Sequence, residues 1–210
     1  MENYNKKHLL AITVLMYTAF FLLTIYVLLN KKNGIDTYIE SCFYKSNDSV
    51  KHLFKIIDKF ISPMTIVSTS AIISFILFIK NYFRSKTRKE IENIFFVFEN
   101  VFFALVINFI FKNLIKRIRP NNSEGFSYPS GHAMLVVSLL FSIYYIIIQS
   151  TKNRKIAYIY LLSSFAFSLF IGFTRIYLEK HYLTDVLGGY VLGYSVTLTF
   201  ILFKRSKNIL

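Results

Sequence analysis

Six long apolar runs, separated by polar segments, dominate the hydropathy pattern of this chain. Each run approaches the roughly 20 apolar residues that a helix needs to cross a bilayer. The runs occupy residues 9–29, 63–79, 94–111, 133–148, 156–174 and 186–203. The pattern therefore predicts an all-α, polytopic membrane protein built as a bundle of six transmembrane helices.

The segment before the second run has a different pattern. Lys51, Lys55 and Lys59 recur every four residues within residues 49–61, and most positions between them are apolar. This spacing favours a short amphipathic helix that lies at the membrane interface, in the first loop between spans. The alternative is that the segment simply begins the second span.

Composition agrees with a membrane bundle and limits the other classes. The 210 residues are 54% hydrophobic and form one domain, residues 1–210, without a repeat or a low-complexity tract. The net charge of +14 comes from basic residues in short loops, where they orient helices and meet anionic headgroups, so no nucleic-acid partner is expected. The single cysteine, Cys42, excludes an intramolecular disulfide and a Cys-rich metal site.

Two apolar runs contain residues that are unusual for a lipid-facing helix. Glu99, in the third run, is expected either to make a structural hydrogen bond or to assist substrate access, and the first reading is favoured. The sixth run contains three glycines that would let a neighbouring helix approach closely: Gly188, Gly189 and Gly193.

A first polar motif follows the third run. Lys112 and Arg119 are seven residues apart, so on one helix they face the same way, and Pro120 would end that helix. Two long cations would then reach one point and suit phosphate oxygens. The alternative is interfacial snorkelling, shared with Lys116 and Arg117.

A second motif, Pro129-Ser130-Gly131-His132, immediately precedes the fourth run. Ser130 is a candidate N-cap, Gly131 lets the backbone approach a ligand, and a helix amino terminus attracts anions. His132 would lie close enough to donate a proton to a leaving oxygen. An ordinary capped helix start is the alternative.

A third motif lies between the fifth and sixth runs. His181 and Asp185 are four apart, so one helical turn would bring them together, and Arg175 adds another cation. A carboxylate can hold an imidazole in one tautomer and make its other nitrogen a nucleophile. The alternative is a simple helical pair, and the residues alone leave open which histidine attacks. The spacing matches no zinc signature, so no metal is expected.

Parity brings the three motifs together. In a six-span chain the odd-numbered loops lie on one side of the membrane, and all three motifs flank the third or fifth loop. The candidate residues, spread over residues 112–185, should therefore share one face. The Lys and Arg residues divide almost evenly between the two sides, with a slight excess that favours a cytoplasmic amino terminus.

Together the motifs resemble the type 2 phosphatidic acid phosphatase family, with Thr174 where that family usually has Ser. The resemblance implies a metal-independent, cofactor-free lipid phosphatase of the cell membrane. The residue matching His181 would form a phosphohistidine, supported by Asp185, while His132 protonates the leaving group. The phosphate would be bound by five residues: Lys112, Arg119, Ser130, Gly131 and Arg175. The family also places its site on the extracytoplasmic face, which puts both termini in the cytoplasm.

Other functions fit the sequence less well. Phosphatidylglycerophosphate, undecaprenyl diphosphate and phosphatidic acid are all credible substrates, and the oligomeric state is not indicated. A non-catalytic lipid-phosphate binder or transporter would not need both His132 and His181, and the spans lack the broken helices of a transporter. A vanadate-dependent haloperoxidase shares the phosphate-binding pattern, but those enzymes are soluble.

Overall fold

The structure, a computed structural model, describes residues 6–30, 33–43, 47–82, 88–151 and 153–207. All regular secondary structure within these ranges is α-helical. The helices are α1 (Lys6–Leu29), α2 (Gly34–Phe43), α3 (Asp48–Phe60), α4 (Pro63–Tyr82), α5 (Arg88–Ile115), α6 (Gly131–Ser150), α7 (Arg154–Tyr177) and α8 (Leu183–Lys207).

Six of these helices are long and apolar enough to cross a bilayer, namely α1 and α4 to α8. They correspond to the six predicted runs, so the fold class is confirmed. The protein is a multi-pass membrane protein. Helices α6 and α8 are the two most buried spans and pack closely together at the centre of the bundle.

The first loop contains two helices rather than one. The predicted amphipathic helix is α3, and Asn47 caps it by accepting a hydrogen bond from the backbone N–H of Ser49 at 2.8 Å. Because α3 ends at Phe60 and α4 begins at Pro63, the reading of this segment as the start of the second span is wrong. The preceding helix, α2, was not predicted. The interfacial position of α3 stays a prediction.

The predicted close approach of the sixth span is confirmed. A Cβ atom at Gly189 would lie 2.5 Å from the carbonyl oxygen of Ser130, and one at Gly193 would lie 2.5 Å from that of Met134. No side chain fits in either place, so the glycines allow α8 to press against the amino-terminal turns of α6. This contact fixes the start of α6 relative to the start of α8.

Polar residues in the third span have different surroundings. The amide nitrogen of the buried Asn100 donates to Ser142 Oγ at 2.7 Å and to Thr197 Oγ1 at 2.9 Å, which joins α5 to α6 and α8. Glu99, by contrast, has an exposed side chain on the surface of α5. Glu99 is therefore not buried inside the bundle, and its structural hydrogen bond stays a prediction.

Candidate active site

The three motifs meet at one end of the bundle, as loop parity predicts. They surround a cavity of about 240 Å³. Its lining consists of Pro63, Leu105, Asn108, Phe109, Lys112, Arg119, Gly131, His132, Arg175 and His181. Six of the eight candidate residues thus line the cavity. The other two, Ser130 and Asp185, lie directly behind it.

The first motif differs from its predicted geometry. Helix α5 ends at Ile115 and Lys116 takes a positive φ of 51°, so Arg119 lies beyond the helix and does not share a helical face with Lys112. Beyond this turn, Arg117 points inward to buried carboxylates. Both cations nevertheless reach the cavity. Lys112 Nζ donates to the carbonyl oxygens of Phe126 and Ser127, the latter at 3.4 Å.

The second motif starts helix α6 at Gly131, with Ser130 in the N-cap position. The side chain of Ser130 makes no capping hydrogen bond, and its buried Oγ has no hydrogen-bond partner among the described residues. The backbone N–H of Ser130 donates to the carbonyl oxygen of Asp185 at 2.9 Å, which ties α6 to α8. A Cβ atom at Gly131 would lie only 3.0 Å from Asn108 Oδ1, so glycine also serves close packing at this position.

The third motif brings His181 beside Asp185, but not through one helical turn. Helix α8 begins at Leu183, and Asp185 Oδ2 accepts a hydrogen bond from the backbone N–H of Tyr182 at 2.9 Å, so the carboxylate caps the helix. His181 precedes this helix. Its Nδ1 lies 3.6 Å from Asp185 Oδ2, which is longer than a normal hydrogen bond.

His181 is almost fully buried, with 3% of its surface exposed. Burial, together with the nearby cations Lys112 and Arg175, lowers the pKa of His181 well below its usual 6.5. The imidazole is therefore neutral at neutral pH, as a nitrogen nucleophile must be. Because Nδ1 faces Asp185, Nε2 is the nitrogen free to react.

Sequence reasoning missed the group that holds Asp185. Arg117 donates to Asp185 Oδ1 at 2.6 Å and to Asp36 Oδ2 at 2.7 Å. Thr184 completes the cluster, because its backbone N–H donates to Asp36 Oδ1 at 3.0 Å. All three charged side chains are buried, at 0–2% exposure. The alternative interpretation of the first motif had Arg117 snorkelling at the interface, but its partner Asp36 lies on helix α2, which the sequence did not predict.

Asp58 of helix α3 is a second residue that the sequence did not indicate. Its Oδ1 lies 3.0 Å from His132 Nε2 and accepts a hydrogen bond from Arg175 Nη1. Its Oδ2 accepts from Lys180 Nζ at 2.5 Å. Lys180 thereby adds another cation beside the cavity, next to the nucleophile candidate His181.

Buried polar atoms without a hydrogen-bond partner concentrate at this cavity. Among the described residues eight such side-chain atoms occur, and five of them belong to the three motifs. They are Arg119 Nε, Ser130 Oγ, His132 Nε2, Arg175 Nε and His181 Nδ1. His132 Nε2 belongs to this group although Asp58 Oδ1 is 3.0 Å away, because the two atoms are not aligned for a hydrogen bond. Buried polar groups are normally paired, so this concentration indicates a site built for a polar ligand. The excess of cations indicates an anionic one.

A buried neutral imidazole, a second imidazole and several cations lie around one cavity at the end of a membrane bundle, an arrangement suited to an anionic ligand. The PAP2 superfamily matches residues 93–209, more than half of the chain and all three motifs. The chain belongs to this superfamily.

The chain is similar to a known protein and to a solved structure. Phosphatidylglycerophosphatase B of Bacillus subtilis (strain 168) is 33% identical over an alignment of 97 residues, and the alignment covers 42% of this chain. The matched segment spans 46% of that relative, or about half its length. A crystal structure of a transmembrane PAP2-type phosphatidylglycerolphosphate phosphatase from Bacillus subtilis shares the fold. It has a TM-score of 0.77 at 21% identity, and the match covers 94% of this chain and 97% of that one.

Proposed function

We propose that this protein is an integral-membrane lipid phosphatase that acts through a phosphohistidine intermediate. The observation that carries the proposal is the convergence of two histidines and three motif cations, Lys112, Arg119 and Arg175, on one cavity at the end of the spans. A lipid phosphate can place its headgroup there while its chains stay in the bilayer. The similarity to phosphatidylglycerophosphatase B supports a phospholipid phosphate as the substrate.

In the first chemical step, His181 Nε2 attacks phosphorus and the bond from phosphorus to the lipid oxygen breaks. His132 gives its proton to that oxygen, and Asp185 stabilises the charge that develops on the His181 ring. The side chains of Lys112, Arg119 and Arg175 bind the phosphate oxygens. The hydroxyl of Ser130 and the amino terminus of α6 at Gly131 complete the phosphate site.

In the second step, water attacks the phosphohistidine and gives a proton to the now neutral His132. The bond between phosphorus and His181 breaks, inorganic phosphate forms, and both histidines return to their starting states. Fixed cations neutralise the phosphate in both steps, so no divalent ion is assigned a role.

Activity is expected to persist in excess EDTA and to be inhibited by vanadate. Loss of activity on chelation, restored by a divalent ion, would contradict this mechanism.

The direct test is phosphate release by the purified chain in detergent. The panel contains phosphatidylglycerophosphate, phosphatidic acid and undecaprenyl diphosphate. His181→Ala is expected to lower turnover by about 10³-fold or more, because the covalent intermediate cannot form. Binding of these lipids without phosphate release would show a non-catalytic lipid-phosphate binder, and near-normal turnover by a folded His181→Ala variant would refute the assigned nucleophile.

A further inference from the structure

The carboxylate of Asp58 lies among the groups that the proposed mechanism gives to phosphate. One of its oxygens contacts both His132 and Arg175, and the other binds Lys180. Arg175 is assigned to a phosphate oxygen and His132 to the leaving oxygen. A carboxylate offers the same kind of partner, an anionic oxygen that accepts hydrogen bonds. Asp58 therefore makes contacts of the type that a bound phosphate would make.

Helix α3 is held in place by contacts other than Asp58. Lys51 forms an ion pair with Glu179 at 2.9 Å. The Phe54 ring packs edge-on against Tyr177 and Phe173, with centroids 5.0 and 6.1 Å apart. Positions 51, 54 and 58 lie on one face of a helix, so these two contacts aim Asp58 at the cavity.

Asp58 is charged in this position. Burial alone would raise the pKa of its carboxyl group, but the contacts with His132, Arg175 and Lys180 outweigh burial and hold that pKa well below its usual value. The site thus contains its own anion. A phosphate dianion that entered beside it would meet a like charge at close range, which is strongly unfavourable in a poorly solvated pocket.

We propose that Asp58 is an internal competitor of the substrate phosphate, which binds by replacing the Asp58 carboxylate at Arg175 and His132. This inference rests on the proposed phosphate site. The displaced carboxylate keeps Lys180, whose side chain is 30% exposed and can move with it. Asp58 thus weakens the affinity of the site for phosphate in both substrate and product, and its return helps to expel inorganic phosphate.

The test measures orthovanadate binding to the purified full-length chain in detergent by isothermal titration calorimetry. Vanadate reports on the anion site without requiring a lipid. Asp58→Asn is expected to bind vanadate at least about tenfold more tightly, because a like charge is removed from close range. Asp58→Ser should show the same gain, so a folding defect in one variant leaves the other informative. The matched control is Asp48→Asn, an exposed position on the same helix, which should leave the affinity unchanged.

Each outcome either supports or overturns the proposal that Asp58 competes with phosphate. Unchanged or weaker vanadate binding in both Asp58 variants, or no binding to any form, would overturn the internal competitor. A fall in kcat with a shifted pH profile and no gain in affinity would show instead that Asp58 positions His132. The lipid assay separates the two proposals. Tighter vanadate binding by the Asp58 variants without any lipid hydrolysis would support the competitor and reject the phosphatase. Lipid hydrolysis with unchanged vanadate affinity would support the phosphatase and reject the competitor.

Discussion

The buried His181 makes the stability of the folded protein depend on pH. Its pKa is lowered in the folded protein by burial and by Lys112 and Arg175, whereas in the unfolded chain it is near 6.5. Below pH 6.5 the unfolded state therefore binds a proton that the folded state does not, and the folded state loses stability as the pH falls.

We accordingly expect wild type to lose more stability than His181→Gln when the pH falls from 7.5 to 5.5. The difference should approach about 1.4 kcal/mol per pH unit below the unfolded-state pKa. Thermal unfolding in detergent at the two pH values measures it. Parallel losses in the two proteins would show that the folded His181 has an ordinary pKa.

Arg117 is expected to be as important as the motif cations. Arg117→Met leaves the carboxylates of Asp36 and Asp185 buried without their counter-charge, and breaking such a pair costs about 3–5 kcal/mol. Turnover should fall as well, since Asp185 loses the group that orients it. Unfolding and phosphate release are measured beside Lys116→Gln, whose side chain is exposed. Equal effects in the two variants would make Arg117 an ordinary surface cation.

The motif residues could be found from sequence, whereas their supporting residues could not. Lys112, His132 and His181 stand out because such groups are rare near membrane spans. In the sequence, Arg117 is one cation among several in a basic stretch, and Asp58 is one polar position in an amphipathic helix. Their roles depend on contacts between distant segments, such as the Arg117–Asp36 pair, and no local spacing encodes those contacts.

Individual elements were predictable to different degrees. The six spans follow from apolar length alone, and α3 follows from its repeating lysines. Helix α2 has only ten residues and no long apolar stretch, so nothing in its hydropathy separates it from a loop. The sequence predicts that Pro120 ends α5, but the helix ends at Ile115, where Lys116 takes a positive φ.

The apolar contact between α3 and α7 is made by the Phe54 ring. Phe54 is 7% exposed, whereas the neighbouring Leu53 is 53% exposed and faces away. We expect Phe54→Ala to increase amide hydrogen exchange throughout α3 and to leave α6 and α8 protected, because only the local anchor is lost. Leu53→Ala is the matched control and should change little. Similar exchange in the two variants would mean that α3 is held by its charges alone.

For the whole molecule, we propose that the site faces the extracytoplasmic side and that both termini are cytoplasmic. Single cysteines at Ser123, in the loop between α5 and α6, and at Lys155, in the first turn of α7, would lie on opposite sides of the membrane. Both positions are exposed, and Cys42→Ser removes the only native thiol. An impermeant thiol reagent applied to intact cells should label position 123 and spare position 155. The opposite pattern would reverse the orientation, and equal labelling would contradict six spans.

The match to the superfamily begins at residue 93, yet two carboxylates of the first loop reach the site: Asp58 contacts His132, and Asp36 binds Arg117, which holds Asp185. Under the proposed mechanism, the later part of the chain supplies the reacting groups, and the first loop supplies two carboxylates that act on them, Asp58 directly and Asp36 through Arg117. Two relatives with identical motifs can therefore differ in how they hold and release phosphate. Under the proposed mechanism, a natural substitution at Asp36 or Asp58 would change how the site binds and releases phosphate, although the three motifs would stay the same.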